Sequence, residues 1–180
     1  MASYAHITKP ASPQLYKGGY EDVFRFCPKA DFTAIAAPSV SPSVIGDKVK
    51  ITTAHTWPTD KGVFEYAVKN GSLVVTSEPT GDPGARLMKH TFKFIVLGDS
   101  ASTFEQLQNT LNSNLICFLK DSKCVGAEYL QFGDTCTQPE FSVGFNSNTN
   151  LEGSKEYEVT GTITESKYYY SGALTVNAED

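Results

Sequence analysis

The pattern of apolar and polar positions is clearest between Leu87 and Leu130. Lys89-His90-Thr91-Phe92-Lys93-Phe94-Ile95-Val96-Leu97 alternates in character and predicts a half-buried strand. Gly98-Asp99-Ser100-Ala101 breaks it, and a short helix is expected next. Ser102 as N-cap with Glu105 three residues on forms a capping box. Phe104, Leu107 and Leu111 stand at i, i+3 and i+7, so they are the candidate packing face of that helix. Asn112-Ser113-Asn114 ends it. A hairpin then runs through Leu115-Ile116-Cys117-Phe118-Leu119-Lys120, a turn at Asp121-Ser122-Lys123, and a return from Cys124 to Leu130.

Other strands follow from the same two-residue period. The clearest is Lys155 to Thr164, with Tyr157, Val159 and Ile163 on one face and Glu156, Glu158, Thr160, Thr162 and Thr164 on the other. Phe141, Val143 and Phe145 give a one-sided strand over 140–145. Strands are also expected at 47–54, 63–68, 72–76 and 168–174. Asn70-Gly71 predicts a type I′ turn, whose two central residues need positive φ. The loop Glu78 to Gly84 is rich in proline and glycine, and Asn146 to Asn150 is a polar loop.

Residues 1–45 differ in tone. Lys9-Pro10-Ala11-Ser12-Pro13 and Lys17-Gly18-Gly19-Tyr20 cannot hold a helix. Short strands are possible at 21–27 and 31–37. The segment reads as an extended N-terminal arm whose apolar residues, Leu15, Tyr16, Phe24 and Phe26 among them, need cover. It either wraps its own domain or serves as an assembly arm on a neighbouring copy. The organisation expected is thus an arm at 1–45, a β-sandwich domain at 46–165 with a helix near 103–112, and a C-terminal strand and tail at 166–180.

Composition sharpens this picture. At 180 residues, with 14 glycines, 9 prolines and 12% aromatics, the chain suits one domain of short strands and many turns. A net charge of −5 without a basic block argues against tight phosphate binding. The N-terminus lacks the basic-then-apolar character of a signal peptide, and no apolar run is long enough for a membrane helix, so no membrane partner is expected. Cys27, Cys117, Cys124 and Cys136 form no CxxC pair and favour free thiols, with a late Cys117–Cys124 bond across the hairpin conceivable.

Candidate chemistry is sparse. His6, His55 and His90 have no metal-ligand partners at useful spacing; His90 reads as a surface residue on its strand. His55 near Trp57 and Asp60 suggests either a small site or ordinary packing. Leu97-Gly98-Asp99-Ser100 lacks the second glycine of a nucleophile turn, and no phosphate-cradling glycine motif occurs. Tyr168-Tyr169-Tyr170 suits either a stacking platform or a core. No catalytic constellation, metal set or cofactor site is visible, and an enzyme is not expected.

The order of alternating strand, short helix (Phe104 to Leu111), hairpin and long amphipathic strand (Lys155 to Thr164) resembles the tail tube proteins of long-tailed bacteriophages. Leu151-Glu152-Gly153-Ser154-Lys155-Glu156-Tyr157 leading into Thr160-Gly161-Thr162 adds to the likeness, which covers about residues 46–165. Tube proteins of contractile injection systems are relatives of that family. The resemblance implies a mainly β fold, a β-sandwich or barrel flanked by one short α-helix, and a virion structural protein assembled in the host cytoplasm. It implies a homo-oligomer, hexameric rings stacked around a channel, with other virion proteins as partners and DNA passing without specific binding. Glu156 and Glu158 are then candidate lumen-facing residues, a wall that repels phosphate, or else part of an ordinary solvated sheet face. The alternatives are another phage structural protein (head decoration, auxiliary capsid or tail terminator) and a monomeric carbohydrate-binding β-sandwich using Trp57 and the tyrosine run.

Overall fold

The computed structural model describes residues 18–41, 44–122, 128–148 and 153–177. Ten strands and one helix follow in chain order: β1 (Val23–Pro28), β2 (Lys50–Ile51), β3 (Phe64–Ala67), β4 (Val74–Thr80), β5 (Leu87–Leu97), α1 (Ala101–Thr110), β6 (Leu115–Lys120), β7 (Tyr129–Phe132), β8 (Glu140–Asn146), β9 (Glu156–Thr164) and β10 (Lys167–Tyr170). They form a six-stranded sheet, β2-β10-β7-β6-β1-β3, and a four-stranded sheet, β4-β5-β9-β8. Every neighbouring pair is antiparallel except β10–β2. The fold is therefore mainly β, a sandwich of two open sheets with one α-helix among the described residues.

The main core lies between the sheets. Phe24 of β1 stacks on Phe94 of β5 with ring centroids 4.3 Å apart, and Phe92 packs on Phe132 of β7 at 5.1 Å. Gly161 of β9 sits under Phe92 so closely that a Cβ there would fall 2.2 Å from the ring, which no side chain can tolerate. A second core covers the opposite face of the six-stranded sheet. There Cys27, Ile51, Val63, Ile116, Phe118 and Tyr170 are buried under Phe32, Ile35, Trp57 and Leu174. The irregular stretches on either side of β2 and after β10 thus act as a third layer.

Several expectations are corrected. Phe24 and Phe26 do not belong to a detached arm: β1 lies between β6 and β3, and both rings are buried in the chain's own core. Burying a ring of this size is worth roughly 1.5–3 kcal/mol, which explains why this segment inserts into the sheet. Leu15 and Tyr16 lie outside the described residues. Over 31–37 no strand forms, only an isolated bridge of Ala34 to Thr56 with Thr33 N–H also donating to Thr56 O, and the strand expected at 47–54 shortens to Lys50–Ile51 after a 3-10 turn. The stretch expected as a loop from Glu78 is instead strand as far as Thr80, paired with β5.

At the 70–71 turn only Gly71 takes a positive φ, 69°, and Ser72 N–H closes onto Lys69 O at 2.9 Å. With Asn70 at negative φ, the turn is not type I′. It carries the chain from β3 in one sheet to β4 in the other rather than closing a hairpin. His90 is buried, not exposed, because the inward face of β5 carries it alongside Phe92 and Phe94.

The helix starts earlier than expected. Ser100 is the N-cap, its Oγ accepting from Thr103 N–H at 3.1 Å, so Glu105 is too far along to complete a capping box. Of the candidate packing face only Leu107 is buried, joined by Thr110; Phe104 and Leu111 are 53% and 39% exposed. The helix thus rests on a narrow stripe, and its Phe104–Leu111 flank is left outward.

Candidate assembly face

β9 delivers its two faces as its alternation requires. Tyr157, Val159 and Ile163 are buried against the core, and Glu156, Glu158, Thr160, Thr162 and Thr164 stand on the outer face of the four-stranded sheet. Residues directly opposite in the ladders share that face. They are Leu97, Ile95, Lys93, Thr91 and Lys89 from β5, then Glu78, Thr76 and Val74 from β4, and Glu140, Ser142, Gly144 and Asn146 from β8. The result is a broad surface with a threonine and serine centre. No layer of the described chain covers it.

Its charge is more balanced than a row of glutamates suggests. Glu158 lies 3.8 Å from Lys93 Nζ, the two being neighbours on adjacent strands, and both are more than half exposed. Glu156 Oε2 accepts from Lys69 Nζ at 2.9 Å. Four carboxylates (Glu78, Glu140, Glu156, Glu158) therefore meet two ammonium groups on the face itself, Lys89 and Lys93, with Lys69 reaching in from the rim. Each exposed pair is worth little in stability, typically under about 1 kcal/mol. The net character is mildly acidic, not a continuous repelling wall. Sequence alone had named Glu156 and Glu158 but not their lysines, because pairing across strands depends on register.

The edges of this sheet are its second feature. β4 and β8, seven residues each, have no partner strand on their outer sides among the described residues. Met88 N–H and O bond toward Glu165, so Pro79 opposite it points its nitrogen outward, where a missing N–H costs nothing. A proline inside an exposed apolar-poor run was the one sequence signal for an edge strand here.

The remaining candidates resolve into structure. His55 is buried, stacked on Tyr170 at 4.4 Å and 4°. Its Nδ1 accepts from Ala36 N–H at 3.0 Å, which leaves Nε2–H to donate to Gln131 Oε1 at 2.9 Å; Gln131 Nε2 in turn donates to Gly133 O. Burial holds the imidazole below its ordinary pKa, the glutamine contact only partly opposing this. Trp57 is wedged by Phe32 at 5.3 Å and His55 at 6.1 Å. Of the tyrosine run, Tyr170 is buried and Tyr168 donates to Asp134 Oδ2 at 2.8 Å, which leaves Tyr169 alone outward. Tyr168 and Tyr170 therefore help build a core, and Trp57 packs against it while lining, with His55 and Asp60, an open cavity of about 440 Å³.

Asp134 is the other polar anchor. Burial raises its pKa, but N–H groups of Thr137 and Cys136 and hydroxyls of Tyr168 and Ser166 overcome this and hold it below the usual value. Cys27 and Cys117 are buried free thiols, pushed up by burial, to about 11 for Cys27; Cys136 is an exposed free thiol, and Cys124 lies outside the described residues. Among the described residues no group of three or more His, Cys, Asp or Glu could hold a metal. No helix among the described residues is long and apolar enough to cross a membrane. Compared with known protein families, with characterised proteins and with solved structures, the chain matches none.

Proposed function

We propose that this chain is a virion tail tube subunit, stacking as rings around a DNA-conducting channel. The observation that carries the reading is the four-stranded sheet. One face is packed into the core, the other is wet and mildly acidic, and neither long edge has a partner strand among the described residues. Unpaired edges are templates for further pairing. If β4 of one copy pairs with β8 of the next, each contact is head-to-tail and a ring closes without leaving an edge.

The dimensions suit the task. Six copies would supply a barrel of about 24 strands. At ~4.8 Å spacing and ~40° tilt its backbone diameter is about 48 Å, wide enough for a DNA duplex inside a layer of side chains. A threonine-rich lining with a slight excess of carboxylate neither grips phosphate nor binds bases, so DNA can slide. The outward Phe104 and Leu111 add apolar surface for a neighbour to cover.

The test is electron microscopy of the purified chain at rising concentration. Rings or tubes with a central channel are expected, and a monomer at all concentrations with no ring would sink the reading. A second arm replaces Glu156 and Glu158 by lysine. Tubes should still form but should retain DNA at low salt and release it as salt rises. Unchanged DNA retention with normal assembly would place this face outside the tube.

A further inference from the structure

We propose that the groove between the free edge of β3 and α1 receives residues Tyr4 to Thr8 of a second copy of this chain as an added strand. The direction of the backbone groups in β3 is fixed by its neighbours. Val68 N–H donates to Asp22 O at 3.1 Å, so even-numbered residues face β1. Val63 N–H donates to Thr175 O at 2.8 Å and Lys69 N–H to Ile95 O at 2.8 Å, so odd-numbered residues face away. Glu65 and Ala67 lie between these and point their N–H and C=O outward, with no backbone partner among the described residues. The same edge already takes a single bridge at one end: Val63 pairs in parallel with Val176, and Asn177 N–H donates to Val63 O at 3.0 Å.

The edge opens into a shaped space. One cavity of about 230 Å³ has Glu65 and Ala67 on one wall and Ser102, Gln106 and Leu107 of α1 on the other. A second, about 150 Å³, adjoins it over Phe64, Tyr66 and Leu115. An extended peptide laid along β3 would take its ladder bonds from Glu65 and Ala67 and drop alternate side chains into the two cavities. This is strand addition beside a helix, in which the main chain gives affinity and the pockets give selectivity.

The occupant follows from the chain outside the described residues. Its internal pieces are at most five residues long, and only three residues follow Asn177, whereas 17 precede Gly18. Within those 17, Pro10 and Pro13 bar ladder bonds, but Met1 to Lys9 is free of proline and holds Tyr4, Ile7 and Thr8, residue types that favour strands. The described chain begins by running past the end of β6, where Ser122 N–H donates to Gly19 O at 3.2 Å. From there the nine residues Lys9 to Lys17 span up to about 30 Å, enough to bring Tyr4 to Thr8 to a neighbouring molecule. The identity of the partner as another copy rests on the tube reading; the acceptor edge itself does not.

The experiment uses the full chain with a benzophenone amino acid in place of Tyr4, mixed with an equal amount of isotopically heavy chain and irradiated. Cross-links should map to 64–67 or 102–107 and should join light to heavy copies. Ala67→Pro, which removes only the outward N–H, should lower their yield at least tenfold. Should that variant fail to fold, Ile7→Asp, placed in the inserting segment, should give the same loss with an unchanged melting temperature. Cross-links confined to one molecule, cross-links mapping elsewhere, or a yield indifferent to both variants would each overturn the proposal. Electron microscopy separates this from the tube reading: tubes without these cross-links leave the tube standing, and cross-links without tubes leave the groove.

Discussion

The two sheets of this molecule handle exposure in opposite ways. The six-stranded sheet is covered on both faces, by the other sheet on one side and by irregular chain on the other, and its two edge strands are only two and four residues long. The four-stranded sheet has one covered face, one wet face and seven-residue edges. The first resembles a finished core and the second an unfinished barrel wall. Stability should therefore be concentrated in the six-stranded sheet, while the ring closure proposed above falls to the edges of the four-stranded one, and substitutions can be chosen to break that division.

The largest effect is expected at Phe24, fully buried on β1 between β6 and β3 and ringed by Phe26, Phe92 and Phe94. Phe24→Ala should cost about 3–5 kcal/mol by denaturant unfolding. A loss below about 1 kcal/mol would mean that β1 is dispensable and that the lead-in is an arm after all. Next is the helix, which bridges the two regimes. Leu107→Ala should cost about 2–5 kcal/mol, whereas Phe104→Ala, on the outward flank, should stay within about 0.5 kcal/mol while weakening self-association. Equal costs at the two positions would remove the distinction between its faces.

A smaller effect should appear with pH. Burial holds both His55 and His90 below their ordinary pKa. The unfolded chain then binds protons that the folded chain refuses, so stability is complete above about pH 6.5 and declines as pH falls below it. The melting temperature should drop by a few degrees between pH 7 and pH 5, before Asp134 and Glu21, held low in the fold, begin to contribute in more acid solution. A flat profile over that interval would show that these imidazoles accept protons in place. The smallest effect belongs to the outer face: Glu158→Gln should change unfolding free energy by less than about 0.5 kcal/mol, since its partner Lys93 is solvated. A larger change would mean that this face is buried in a way the isolated chain does not reveal.

What the sequence told of this fold depended on period. β5, β8 and β9 alternate between a dry and a wet face, and all three were legible to within two residues. β1 was legible as a short strand over 21–27 but not as an inner strand of the sheet, because a strand covered on both faces loses alternation; Phe24 and Phe26 look no different from Cys27 on the opposite side. The helix was located but misphased, since Phe104 and Leu111 satisfy the same spacing rule as Leu107 and only the position of β3 and β8 decides which side is covered. At the candidate face, Glu156 and Glu158 were read correctly as outward. Their counter-charges Lys69 and Lys93 and the open edges are products of strand order, which local pattern does not encode.

The contact between Gly161 and Phe92 has a consequence for how the sandwich closes. Sliding β9 by one residue against β5 would turn its glutamates inward and is forbidden by burial. Sliding by two keeps every side chain on its proper face, so hydrophobicity alone hardly resists that error. Such a slip, however, would bring Val159 or Ile163 beneath the Phe92 ring, where there is no room even for a Cβ. The missing side chain thus works as a notch that admits one alignment of the two longest strands. Because β4 and β8 hang from those strands, the same notch sets the vertical offset between the two open edges, and with it, in the proposed ring, the pitch at which one subunit would meet the next.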